Sequence, residues 1–113
     1  YSIKSQNITD NNICYKIAFF TENFIFKAHF PNNPITPGVC LIQICVELFE
    51  ILKNRTFNIN ILKNIKFTAP INPIEVPEVD VLISFSEKGG LFHLKAKMEK
   101  GGQVFTKINM VLA

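Results

Sequence analysis

The residue type best suited to chemistry in this sequence is His29, which opens the segment His29-Phe30-Pro31-Asn32-Asn33-Pro34-Ile35-Thr36-Pro37-Gly38. Each of the three prolines fixes its own φ and restrains the residue before it, so the segment reads as a nearly rigid loop. A histidine titrates near neutrality and can accept a proton at physiological pH. The loop runs straight into a long apolar stretch of helical length, Val39–Glu50, and so delivers that histidine to one end of a helix. The first amides of a helix lack intrahelical partners and carry its positive dipole end, so Gly38 and Val39 can hold a partly negative oxygen. Farther along, Gln43, Glu47, Glu50 and Asn54 are spaced by four, three and four, which sets them on one helical face.

Each of these residues also has a plainer reading. His29 can cap a loop or satisfy a core hydrogen bond, and the stripe can be a solvated helix face. For Glu50 the solvated face is the better reading, and for Glu47 both remain open. His93 shares its strand parity with lysines and is expected to face solvent. Cys40 and Cys45 read as small core residues, because nothing near them would activate a thiolate.

The elements that must position these groups follow from periodicity. Ile13–Phe20, rich in β-branched and aromatic residues, is predicted to be a strand, Thr21–Asn23 a turn, and Phe24–Phe26 a short strand or extended coil. The helix is expected from Val39 to about Lys53 and ends at Asn54-Arg55-Thr56. Apolar positions occupy so much of its circumference that other structure must wrap it.

Strands follow at Asn60–Phe67 and Val79–Ser86, and Gly89-Gly90 supplies a turn. In the next strand, from Leu91 to Met98, Phe92, Leu94, Ala96 and Met98 share one parity. After Gly101-Gly102, the last strand, Gln103–Leu112, is expected to put Val104, Ile108, Met110 and Leu112 on one face and Lys107 and Asn109 on the other. Helix and strands are segregated, which gives an α+β class with a curved antiparallel sheet around one central helix.

Composition narrows the partners. The 113 residues, 48% hydrophobic, suit a single domain spanning 1–113. No apolar run has the length of a membrane span, and no secretory pattern opens the chain, although Tyr1 in place of Met points to trimming. Three cysteines, none in a CxxC arrangement, indicate a reducing cytoplasm and no zinc site. The net charge of +3 comes from scattered lysines, so nucleic acid is not indicated, while an acidic partner is compatible.

The loop and helix together resemble the hot-dog-fold 3-hydroxyacyl-[acyl-carrier-protein] dehydratases, whose signature reads His-Phe-Pro-Gly-x-Pro-x-x-Pro-Gly-Val. Here His29, Phe30, Pro31, Pro34, Pro37, Gly38 and Val39 match in register, and Asn32 replaces a glycine. Asn is the non-glycine residue that best tolerates the left-handed region. Ile65–Ile71 is similar to the family's Phe-x-x-Pro strand end.

The resemblance implies a base at His29, with Phe30, Pro37, Gly38 and Val39 binding substrate. The substrate would be an acyl chain on the phosphopantetheine arm of acyl carrier protein, with no metal or nucleotide. It also implies a homodimer joined edge to edge, or a higher oligomer, with sites shared between subunits. The departure lies in the helix: the position of the catalytic carboxylate holds Gln43, and Glu47 stands one turn later where Gln is usual. The acid is thus moved by about 6 Å at about 1.5 Å per residue. Gln43 can donate a hydrogen bond but no proton, which leaves Glu47 as the candidate acid. A non-catalytic module binding acyl groups or carrier protein, or a thioesterase, are the competing readings.

Overall fold

The computed structural model describes residues 1–19, 38–72 and 76–113. The loop from His29 to Pro37, the expected turn at Thr21–Asn23 and the extended segment Phe24–Phe26 lie outside the described residues. Among the described residues, six strands form one antiparallel sheet beside a helix: β1 (Ser2–Thr9), β2 (Asn12–Ala18), α1 (Gly38–Lys53), β3 (Ile59–Phe67), β4 (Glu78–Lys88), β5 (Leu91–Lys100) and β6 (Gln103–Leu112). Their order across the sheet is β1-β2-β4-β5-β6-β3, so β1 and β3 are its edges.

Both glycine pairs do what a two-residue hairpin needs. Gly89 and Gly90 have φ of 58° and 80°, and Gly101 and Gly102 of 56° and 86°, conformations that let two twisted strands rejoin without steric cost. The inward parity of β5 is as expected: Phe92, Leu94, Ala96 and Met98 are all buried. Matching rows come from β2 (Ile13, Tyr15, Ile17), β4 (Val79, Val81, Ile83) and β6 (Ile108, Met110, Leu112). Together with Leu41, Ile44, Cys45, Leu48 and Phe49 of α1 they form one core cluster. The buried Tyr15 hydroxyl donates to the Leu48 carbonyl at 3.3 Å, tying the helix to β2.

Three expectations change. β1 is absent from the periodicity reading because SIKSQNIT has no apolar face, and seven of its eight residues are exposed. It is a strand because β2 offers it a ladder, and the tight connection is made by Asp10 at φ 33°.

In β6 the pairing shifts between Met98↔Thr106 and Glu99↔Val104. That extra residue turns Phe105 into the core and leaves Val104 only half-buried, contrary to strict alternation. Thr106 is buried as well, and its hydroxyl donates to the Lys66 carbonyl at 2.9 Å. The helix, finally, is not wrapped all round by the described residues: Val39 and Ile51 are exposed on the side that bears Gln43 and Glu47.

Candidate active site

Of the residues singled out above, His29, Phe30 and Pro37 lie outside the described residues. Gly38, Val39, Gln43 and Glu47 all fall on α1, which begins at Gly38. The first turn contains no acidic side chain, so nothing there competes with a ligand for the positive end of the helix. Val39 is 72% exposed and Gln43 is exposed, whereas Glu47 is half-buried. The face therefore runs from open to sheltered over two turns.

Packing around this face holds two residues that the sequence did not assign to the site: Phe67, marked there only as part of a strand end similar to the family's, and Tyr1. The Phe67 ring lies against Gly38: a β-carbon there would stand 2.6 Å from Phe67 Cζ. A side chain there would have to push the ring aside, so the glycine permits this close approach by the aromatic end of β3. Phe67 is itself 53% exposed, so its ring covers the helix start from the solvent side.

The second residue is Tyr1, whose hydroxyl faces Glu47 Oε2 at 3.5 Å, the long limit of a hydrogen bond. Partial burial first, and the Glu47 carboxylate second, push the Tyr1 phenol up to about 12. At neutral pH it is a proton donor to Glu47 and never a competing anion. No sequence signal joins two residues so far apart.

Glu50 is more than a solvated residue. Its Oε2 accepts the Phe57 amide at 2.8 Å, and its carbonyl accepts the Arg55 amide at 3.2 Å, with Asn54 in the left-handed region at φ 54°. That is a Schellman-type end closing α1, so Glu50 belongs to the architecture of the turn. Cys45 is fully buried, and burial pushes its thiol up to about 12, which keeps it protonated and unreactive. Cys40 is only half-buried. His93 lies on the outer face of the sheet, where Lys63 Nζ approaches its Nδ1 at 3.3 Å. Among the described residues no cluster of His, Cys, Asp or Glu side chains is placed to hold a metal ion. No described helix is long and apolar enough to cross a membrane.

Comparison with known proteins agrees with this architecture. A chain of the dehydratase heterocomplex ApeI:P from Xenorhabdus doucetiae superposes with a TM-score of 0.78 over 99% of this chain and 96% of that one, at 17% identity. The likeness is one of fold, and it establishes the hot-dog arrangement. In sequence, 3-hydroxyacyl-[acyl-carrier-protein] dehydratase FabZ of Protochlamydia amoebophila is 32% identical over 103 residues, covering 85% of this chain and 60% of its own length. The Wolbachia FabZ associated with Drosophila simulans is 38% identical over 65 residues, covering 51% and 45% respectively. The chain thus spans roughly half of the curated relatives it matches. A family model described as ApeI-like, ApeI dehydratase, matches residues 5–107. The match runs from β1 into β6, and the chain belongs to the ApeI-like dehydratase family.

Proposed function

We propose that this chain is a dehydratase acting on 3-hydroxyacyl thioesters carried on the phosphopantetheine arm of acyl carrier protein, in acyl-chain biosynthesis in the cytoplasm. The observation that carries this reading is the join at Gly38. The His29–Pro37 motif leads directly into a helix whose open N-terminal face bears Gln43 and then the sheltered Glu47. In the reaction, His29 removes the α-proton while electron density shifts onto the thioester oxygen. The free amides of Gly38 and Val39 and the helix dipole hold that oxygen. As the Cα–Cβ double bond forms, the bond from Cβ to the hydroxyl breaks, and the hydroxyl leaves as water with a proton from Glu47. The Gln43 amide orients the departing group without supplying a proton.

The β3 edge supports assembly as a homodimer. Ile59, Ile61 and Leu62 are all at least 41% exposed on a strand with one unpaired edge among the described residues. A long apolar edge of that kind needs a partner.

The test is incubation of the purified chain with a 3-hydroxyacyl carrier protein, or its CoA analogue, while following the enoyl product. Glu47→Gln is expected to slow turnover by about 10²–10⁴, the usual contribution of a general acid. His29→Ala is expected to abolish it, and activity that survives this change overturns the assignment of the base. The exposed Gln43 favours a second reading, a module that binds the acyl-carrier thioester without converting it. Saturable binding with no enoyl product selects that reading.

A further inference from the structure

β1 leaves seven of its eight residues exposed, yet it fixes the position of one aromatic side chain. Ser2 pairs with Ala18 and Ile3 with Ile17 on β2, so the ladder holds the backbone from the residue after Tyr1 onward. Tyr1 itself packs against the core cluster, and its hydroxyl lies 3.5 Å from Glu47 Oε2 on α1. Among the described residues Glu47 has no other hydrogen-bond partner and no cation partner. Its Oε2 therefore faces a donor while its Oε1 is free. A half-buried carboxylate formed without a cation beside it is unfavourable unless a donor meets it.

We infer that Tyr1 is a positioning residue for the acid step: its hydroxyl holds Glu47 Oε2, leaves Oε1 for the departing hydroxyl, and stabilises the carboxylate that Glu47 becomes. The inference rests on the proposed dehydratase reaction, in which the bond from Cβ to oxygen breaks as Glu47 passes its proton to the leaving oxygen. Tyr1 gives up no proton in this step. Burial, and then the Glu47 carboxylate, push its phenol up to about 12, so it stays a donor throughout. Glu47, Cys45 and Glu50 of α1 are the groups that bear on the phenol electrostatically, and each disfavours its ionisation. At 3.5 Å the contact is at the long limit of a hydrogen bond, whereas a hydroxyl donating to a carboxylate settles at about 2.5–2.7 Å. The bond tightens as the proton leaves Glu47, and an interaction stronger in the transition state than before it raises kcat. It does not touch substrate, so KM does not depend on it.

The test is Tyr1→Phe, which keeps the ring and removes the hydroxyl. With a 3-hydroxyacyl pantetheine thioester, kcat is expected to fall about tenfold, the lower end for a hydrogen bond to a charged group, while KM is unchanged. The same preparation is then given the matching 3-chloroacyl thioester. There His29 takes the α-proton, the double bond forms and chloride departs without needing a proton. Glu47 stays as it was, so wild type and Tyr1→Phe are expected to turn over the chloro substrate alike. Because both substrates are measured on one preparation, any misfolded fraction cancels in the ratio of the two rates. In the Glu47→Gln background, Tyr1→Phe is expected to lower activity no further.

A Tyr1→Phe variant as active as wild type on the hydroxy substrate overturns the inference and leaves the dehydratase reading standing. So does an equal loss on the chloro substrate, which would mark Tyr1 as a packing residue only. A loss that persists undiminished in the Glu47→Gln background overturns it too, because the hydroxyl would then act elsewhere. If the wild-type chain makes no enoyl product from the hydroxy substrate, the reading and the inference fall together.

Discussion

The two ends of α1 are built on opposite principles. At the C-terminal end, Phe49 is fully buried and its ring centroid lies 5.1–5.3 Å from those of Phe57, Phe85 and Phe92. Lys53 and Arg55 lie over this cluster, at 4.6 Å from the Phe85 ring and 4.4 Å from the Phe57 ring. Edge-on rings and cations on ring faces add to the area they bury, and the Glu50 turn satisfies the last backbone groups. At the N-terminal end, Val39 and Gln43 are exposed, and among the described residues a half-exposed aromatic ring lies against the helix start. A helix anchored firmly at one end can leave its other end open, where its first amides have no intrahelical partner. Stability is concentrated where no chemistry is assigned.

Substitutions along the helix test that contrast, beginning with the largest effect. Phe49→Ala is expected to destabilise the chain by about 3–5 kcal/mol, because it removes the ring shared by all three aromatic contacts. Thermal melting should show it, and a loss near 1 kcal/mol would mean that the closed end is not the anchor.

Alkaline pH probes how far the dry region reaches toward the open end, since buried Cys45 is two residues from exposed Gln43. The Cys45 thiol rises from 9.0 to about 12 and the Tyr1 phenol from 10.0 to about 12. Both are neutral when protonated, so the folded chain binds these protons more tightly than the unfolded chain does. That contribution is fully present below pH 9.0 and is lost as pH rises toward 12. Melting temperature should fall over that window, and Cys45→Ala should flatten the decline.

Glu50→Ala leaves the Phe57 amide without its acceptor, and a loss of about 1–3 kcal/mol is expected from chemical denaturation. Val39→Ser, at the open end, is expected to change stability by less than about 0.5 kcal/mol, in keeping with an exposed surface position. A larger loss in dilute solution would show that Val39 is covered in the working assembly.

The legible parts of the sequence are those whose signals are local. The helix from about Val39 to Lys53, the inward parity of β5 and both glycine turns follow from spacing and from backbone freedom, and all are found where expected. So is the α+β arrangement, because a helix that is mostly apolar and strands with one polar face leave few ways to bury both. The dehydratase signature is also local, since its proline and glycine positions lie within eleven consecutive residues.

What the tertiary structure decided depends on residues far apart in the chain. The polar β1 is a strand only because β2 offers it hydrogen bonds. Phe105 turns inward only because the β5–β6 register slips by one residue. Glu50 becomes a structural acceptor when Phe57 folds back onto it, and Gly38 finds its neighbour in Phe67 from an edge strand. Tyr1 meets Glu47 only once the β1–β2 ladder is paired. Local spacing sets the element and the face each residue occupies, while register and packing set its neighbours.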